Sequence, residues 1–287
     1  MSPSVNSTAQ TMNRVRCGQT GDRPGLEWPR LTVARHTIEV GEARRQLLVA
    51  APTGAPIAIL VTMHGSTSTP EAQVRLSRMA PLAEQGAVVA FPQGSISSRA
   101  GWEWDLHGDV AFLDTAVDYL RETFGATAAP LCVSGMSGGA RMASRFASSG
   151  RNPVRVLGAV AGLRMPAVEQ LDHPVRVVAF HGTRDRFNPY VGGPTARWSE
   201  SVLDAASAWA RANGHSPEPE RTEFTSSVTQ LSYGPPGDPG AVTLWVCDGA
   251  GHTWPGTRLT LGVRLLLGKV SYDVDATAEI WRALGAA

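Results

Sequence analysis

From about residue 35 onward, apolar and polar positions follow two alternating rhythms. Largely apolar runs at Ile57–Met63, Ala87–Phe91, Leu131–Val133, Arg155–Val160, Val175–Phe180 and Val242–Val246 read as buried strands. His36–Val40 and Gln46–Ala51 read as a leading hairpin around Gly41-Glu42. Between the runs the spacing turns helical. Val110, Leu113, Val117, Leu120 and Phe124 recur on one face, with Asp109 able to cap the start and Gly125 to end the helix. Ala205–Ala212 lies in a helix ended by Asn213-Gly214, and Ala276–Leu284 forms a closing helix. Strands separated by helices predict an α/β fold with a mostly parallel sheet covered on both faces.

Residues 31–287 read as one domain, since no repeat or low-complexity block interrupts them and Pro235–Gly240 is a turn-rich loop. Residues 1–30 are rich in Ser, Thr, Asn, Gln and Pro and are expected to form a disordered tail. With 287 residues, 43% of them hydrophobic, the chain can bury roughly three quarters of its unfolded surface. Lys+Arg 26 against Asp+Glu 25 gives a net charge of +1, so there is no electrostatic case for nucleic acid or an anionic membrane as partner. No apolar run reaches transmembrane length and no signal peptide is visible, which makes the cytoplasm the expected compartment. Cys17, Cys132 and Cys247 are too few and too scattered for a disulfide framework or a zinc site. Cys132 and Cys247 sit in apolar runs and are expected to be buried free thiols.

The chemistry enters at Gly135-Met136-Ser137-Gly138-Gly139, a G-x-S-x-G between an apolar run and a small-residue helix. In that setting the pattern makes a nucleophile elbow, a sharp strand-to-helix turn that exposes the serine Oγ. A serine needs a general base, and the base needs an orienting carboxylate. On a parallel sheet both belong in loops past the carboxyl ends of later strands, in the order Ser, acid, His. His181-Gly182-Thr183-Arg184-Asp185 follows one such strand and places Asp185 there. Cys247-Asp248-Gly249-Ala250-Gly251-His252 follows the last strand and places His252 there. Asp109, read as a cap, and Asp248, close to His252 in sequence, are the rival acids. His181 is expected to support the turn beneath Asp185. The amides of Gly138 and Ser66, the latter in the His64-Gly65-Ser66 loop, are the expected oxyanion donors. Trp102, Tyr190 and Trp254 are expected at the rim as substrate-binding aromatics. No metal or other cofactor is called for.

These residues resemble the α/β-hydrolase esterases related to polyhydroxybutyrate depolymerases, with feruloyl and acetyl-xylan esterases as neighbours. The likeness runs from about residue 45 to 285. It is carried by Met63-His64-Gly65, Gly101-Trp102, Asp109-Val110-Ala111-Phe112-Leu113, Gly135–Gly139, His181–Asp185, Asn188-Pro189-Tyr190-Val191-Gly192-Gly193, Gly251-His252-Thr253-Trp254-Pro255-Gly256 and Asp275-Ala276-Thr277. It implies Ser137 as nucleophile, Asp185 as acid and His252 as base. Ser66 stands where many members carry a cysteine, and secreted members have a signal peptide and more cysteines. The twelve residues Leu163–Pro174 are too few for the cap domain such folds usually insert there. The expectation is therefore an α/β-hydrolase without a large cap, open or covered only by the segment from Asn188 to Gly214. Its expected reaction is hydrolysis of a small-molecule or oligomeric ester. Acyl transfer, thioester hydrolysis or a cyclisation or condensation at the same residues are the alternatives, and a non-catalytic binding protein is a further one.

Overall fold

The computed structural model describes residues 32–285. The expected N-terminal tail and Cys17 lie outside the described residues. The chain opens with the hairpin β1 (Ala34–Val40) and β2 (Ala43–Ala50), turned at Gly41, whose φ is +60°. Then come β3 (Ala58–Met63), α1 (Pro70–Ser77), β4 (Ala87–Pro92), the small pair β5 (Ile96–Ser98) and β6 (Gly101–Glu103), and α2 (Gly108–Phe124). The middle holds β7 (Leu131–Met136), α3 (Gly138–Ser149), β8 (Val156–Val160), β9 (Arg176–Gly182) and α4 (Val202–Ala212). The chain closes with β10 (Glu220–Thr225), β11 (Val228–Tyr233), β12 (Val242–Cys247), α5 (Leu261–Leu267) and α6 (Ala276–Ala283).

Ten strands form one sheet in the order β1-β2-β4-β3-β7-β8-β9-β12-β11-β10. Six neighbours, β4 through β12, pair in parallel, and an antiparallel hairpin extends each edge. Every residue of β3, β4, β7 and β8 is buried, as strands covered on both faces require. Two apolar clusters lie on opposite faces. One gathers α2, α3 and α4 around Phe112, Phe146 and Trp209. The other packs α6 and the turn before β4 around Phe91, Phe180 and Trp281. Cys132 and Cys247 are buried free thiols, and burial pushes the Cys247 thiol up to about 11. Among the described residues no helix is long and apolar enough to cross a membrane.

The chain pairs β3 with β4 on one side and with β7 on the other, so its direction of travel reverses between β3 and β7. At such a switch point the loops leaving the carboxyl ends diverge and open a crevice. Those loops are His64-Gly65-Ser66 after β3 and the turn at Ser137 after β7. No helix or strand forms between β8 and β9, so no cap domain is inserted there.

The Asp109 reading is corrected. The helix opens one residue earlier, at Gly108, and the Asp109 carboxylate does not cap it. Its Oδ2 instead accepts from the amides of Ser95 and Asp105 and from Ser95 Oγ, and Oδ1 pairs with Arg45 at 2.8 Å. A buried charge needs such partners; the loops on either side of the β5–β6 pair supply the donors and β2 supplies Arg45.

Candidate active site

Ser137 has φ 55° and ψ −117°, a conformation costing about 1–3 kcal/mol in a non-glycine residue. The fold holds it there. Its amide donates to Val160 O at 2.9 Å, and its carbonyl accepts from Arg141 N at 3.0 Å as the first bond of α3. Serine ordinarily caps a helix with its own hydroxyl. Thr69, Ser201 and Asp275 do so at α1, α4 and α6, but Ser137, at the N-cap of α3, does not. Its Oγ is left for other chemistry, at the positive end of a helix dipole.

The two glycines after it permit close approach. A Cβ on Gly139 would lie 2.6 Å from His64 O and closer still to Met63 O. A Cβ on Gly138 would lie 2.9 Å from the Ser66 amide nitrogen. Helix α3 therefore starts directly against the loop after β3, which brings the Ser66 amide and Gly138 side by side. His64 fixes that loop. Its Nδ1–H donates to Gly65 O at 2.8 Å and its Nε2 accepts from Gly94 N at 3.1 Å. The backbone carbonyl of His64 takes the Trp104 indole N–H at 2.8 Å. Burial lowers the His64 imidazole below its ordinary pKa, as expected for a neutral ring with both nitrogens engaged.

Asp185 and His252 come together from loops after β9 and β12. Asp185 Oδ2 accepts from His252 Nδ1 at 2.6 Å, and both residues are buried, 5% and 6% exposed. Asp185 Oδ1 accepts from the amides of Phe187 and Asn188 at 2.9 Å each. Because a carboxylate oxygen accepts, the His252 Nδ1–H is the donor in this bond, and Nε2 is the ring nitrogen left outside it. The backbone of the His252 loop is clamped by bonds from Gly251 N to Lys269 O and from His252 N to Leu267 O, at the end of α5. His181 Nε2 donates to Asn188 O at 2.8 Å and lies 3.5 Å from Asp185 Oδ2, beneath the same turn. Burial lowers its pKa as well. Asp248 is exposed and accepts from Thr183 Oγ1, in a turn of its own.

The aromatic expectations divide. Trp102 is half-buried and bridges by its backbone to Ser68, just past the Ser66 loop. Tyr190 is half-buried, with its ring centroid 6.0 Å from His181. Trp254 is not at the rim. It is 1% exposed, packs in the cluster with Trp281, and donates to Thr277 Oγ1 at 3.1 Å. Proximity to His252 in sequence does not put Trp254 at the rim, because the whole stretch from Ala250 to Pro255 is buried and the two side chains take different partners. Phe187 stands nearer, 47% exposed with its ring centroid 5.2 Å from His252. Arg141 and Arg164 gather over Trp198, and Arg197 reaches Ser66 Oγ, a grouping that the sequence pattern does not predict. Among the described residues no group of three or more His, Cys, Asp or Glu side chains is placed to hold a metal ion.

No protein-family model and no curated protein matches the chain. Solved structures do. Acetyl xylan esterase from Aspergillus awamori superposes with a TM-score of 0.62, at 16% identity, over 88% of this chain and 99% of that one. The fold is the α/β-hydrolase fold. The native structure of sOPH shares this α/β-hydrolase architecture, with a TM-score of 0.51, 15% identity, 81% of this chain and 84% of that one.

Proposed function

We propose that this α/β-hydrolase is a metal-free serine esterase working through an acyl-enzyme. Ser137 Oγ attacks the ester carbonyl carbon while His252 Nε2 takes its proton. The Ser66 and Gly138 amides hold the oxygen that becomes negative. As the tetrahedral intermediate collapses, the carbon–oxygen bond to the alcohol breaks and His252 returns the proton to the departing oxygen. Water then repeats the attack on the acyl-Ser137 ester, with His252 again as base, and the acid leaves. Asp185 keeps the imidazole in the Nδ1–H form and stabilises its transient positive charge.

The observation that carries this reading is the 2.6 Å bond between His252 Nδ1 and Asp185 Oδ2, in loops at the same sheet edge as a strained, non-capping Ser137. The residues quoted for the likeness to polyhydroxybutyrate depolymerases, feruloyl esterases and acetyl-xylan esterases favour an ester of that general kind. The proposed substrate is a small or oligomeric ester rather than a nucleic acid or a membrane lipid. The test is turnover of a panel of acetyl, 3-hydroxybutyryl and feruloyl esters by the purified chain and by Ser137→Ala. Hydrolysis by the wild type and its loss in a folded Ser137→Ala supports the reading. Equal turnover by both overturns it.

A further inference from the structure

Three arginines gather around Trp198, and one of them, Arg197, reaches the loop that carries Ser66. Arg197 donates through Nη2 to Ser66 Oγ and lies 3.7 Å from Glu103 Oε2. The next residue, Trp198, is buried, and its ring lies beneath two more guanidinium groups, Arg164 at 4.6 Å and Arg141 at 5.3 Å. Arg164 pairs with Glu200 at 3.3 Å. Arg141 sits on the first turn of α3, its amide bonded to Ser137 O. Among the described residues no carboxylate lies within ion-pair distance of Arg141.

Three guanidinium groups and two carboxylates, Glu103 and Glu200, leave one positive charge uncompensated. The whole chain is almost neutral, so this surplus is local. It is also confined: burial, then Arg197 and Arg164, push Arg141 down to about 10, with Glu103 and Glu200 acting against them. A half-buried guanidinium crowded by two others is unfavourable as it stands. An entering anion would relieve the repulsion and satisfy its fork of N–H donors. The aromatic platform of Trp198 holds the two guanidinium planes so that little entropy is lost on binding.

We propose that Arg141, together with Arg197, receives a carboxylate carried by the ester substrate, so that the site selects esters bearing a negative charge close to the scissile carbonyl. The inference rests on the esterase reading of Ser137 and names the substrate class within it.

The experiment compares kcat/KM on three esters: neutral p-nitrophenyl butyrate, the mono-p-nitrophenyl ester of glutarate with its carboxylate on the acyl side, and 4-butyryloxybenzoate with its carboxylate on the alcohol side. Each is measured with the wild type, Arg141→Gln, Arg141→Lys and, as a remote control, Arg151→Gln. Intrinsic ester reactivity cancels in the charged-to-neutral ratio between enzymes. The expected result is that this ratio falls about tenfold in Arg141→Gln for one of the two charged esters, which says on which side the carboxylate sits. It falls less in Arg141→Lys, is unchanged in Arg151→Gln, and shrinks in the wild type as salt is raised. An unchanged ratio in Arg141→Gln, with neutral ester still turned over, overturns this inference and leaves the esterase reading standing. No turnover of any ester and no labelling of Ser137 by a fluorophosphonate overturns both.

Discussion

Asp185 grips His252 with one carboxylate oxygen and its own turn with the other. Oδ2 takes the imidazole Nδ1–H at 2.6 Å, while Oδ1 takes the amides of Phe187 and Asn188. The two duties separate by substitution. Asp185→Asn keeps an acceptor oxygen for the turn but offers an N–H to His252, which flips the imidazole to the other tautomer. Its kcat should fall by about 10³–10⁴ with little loss of stability. Asp185→Ala removes both functions and should also cost about 2 kcal/mol in denaturant unfolding. Equal stability loss in the two variants would contradict this division.

Gly139 and Gly262 make opposite predictions for the same substitution. Gly139→Ala drives a methyl into the backbone of Met63 and His64, where nothing flexible can give way. It should destabilise the protein by more than about 2 kcal/mol and disturb the Ser66 loop. Gly262 in α5 has nothing within 4 Å of an added Cβ. Gly262→Ala should be neutral or stabilise by up to about 1 kcal/mol. Urea unfolding of the pair decides.

Asp109 ties Arg45, Ser95 and Asp105 together inside the fold. Asp109→Ala leaves the Arg45 guanidinium without its carboxylate, with only Gln93 O and the Phe112 ring as neighbours, and three donors unfilled. The expected loss is about 3–5 kcal/mol, read from chemical denaturation. Asp118→Ala, which breaks only an exposed pair with Arg151, should cost less than about 1 kcal/mol.

Burial holds three imidazoles, His36, His64 and His181, below their ordinary pKa. In the unfolded chain each takes a proton near pH 6.5, whereas in the folded protein each resists protonation to lower pH. The unfolded state therefore binds more protons in that window. Their contribution to stability is complete above pH 6.5 and is lost as pH falls through the lowered folded values. The thermal midpoint should decline between about pH 7 and pH 5, and His64→Asn should flatten the decline. A midpoint that rises over that range would contradict the assignment.

The buried parallel strands were legible because each is a mostly apolar run between turn signals, and strand ends with chain order made Ser137, Asp185 and His252 the candidates. Other parts were hidden for physical reasons. Every position of β10 is exposed or half-exposed, so Glu220–Thr225 carries no apolar run, and β11 buries only Val228, Leu231 and Tyr233, without a regular alternation. Helix α1 is short and polar, although Thr69-Pro70-Glu71 is a start signal for it. Trp254 and Asp109 were misread because sequence neighbourhood does not say which way a side chain turns. The arginines around Trp198 come from α3, the loop after β8 and the loop before α4, and only the fold brings them together.

Ser137 is the residue on which the proposed mechanism turns. Labelling the purified chain with a fluorophosphonate, followed by peptide mapping, tests it directly. The account predicts one phosphonylated residue, Ser137, with labelling strongly slowed in His252→Ala. Modification at another residue, or no modification of the folded protein, would contradict it.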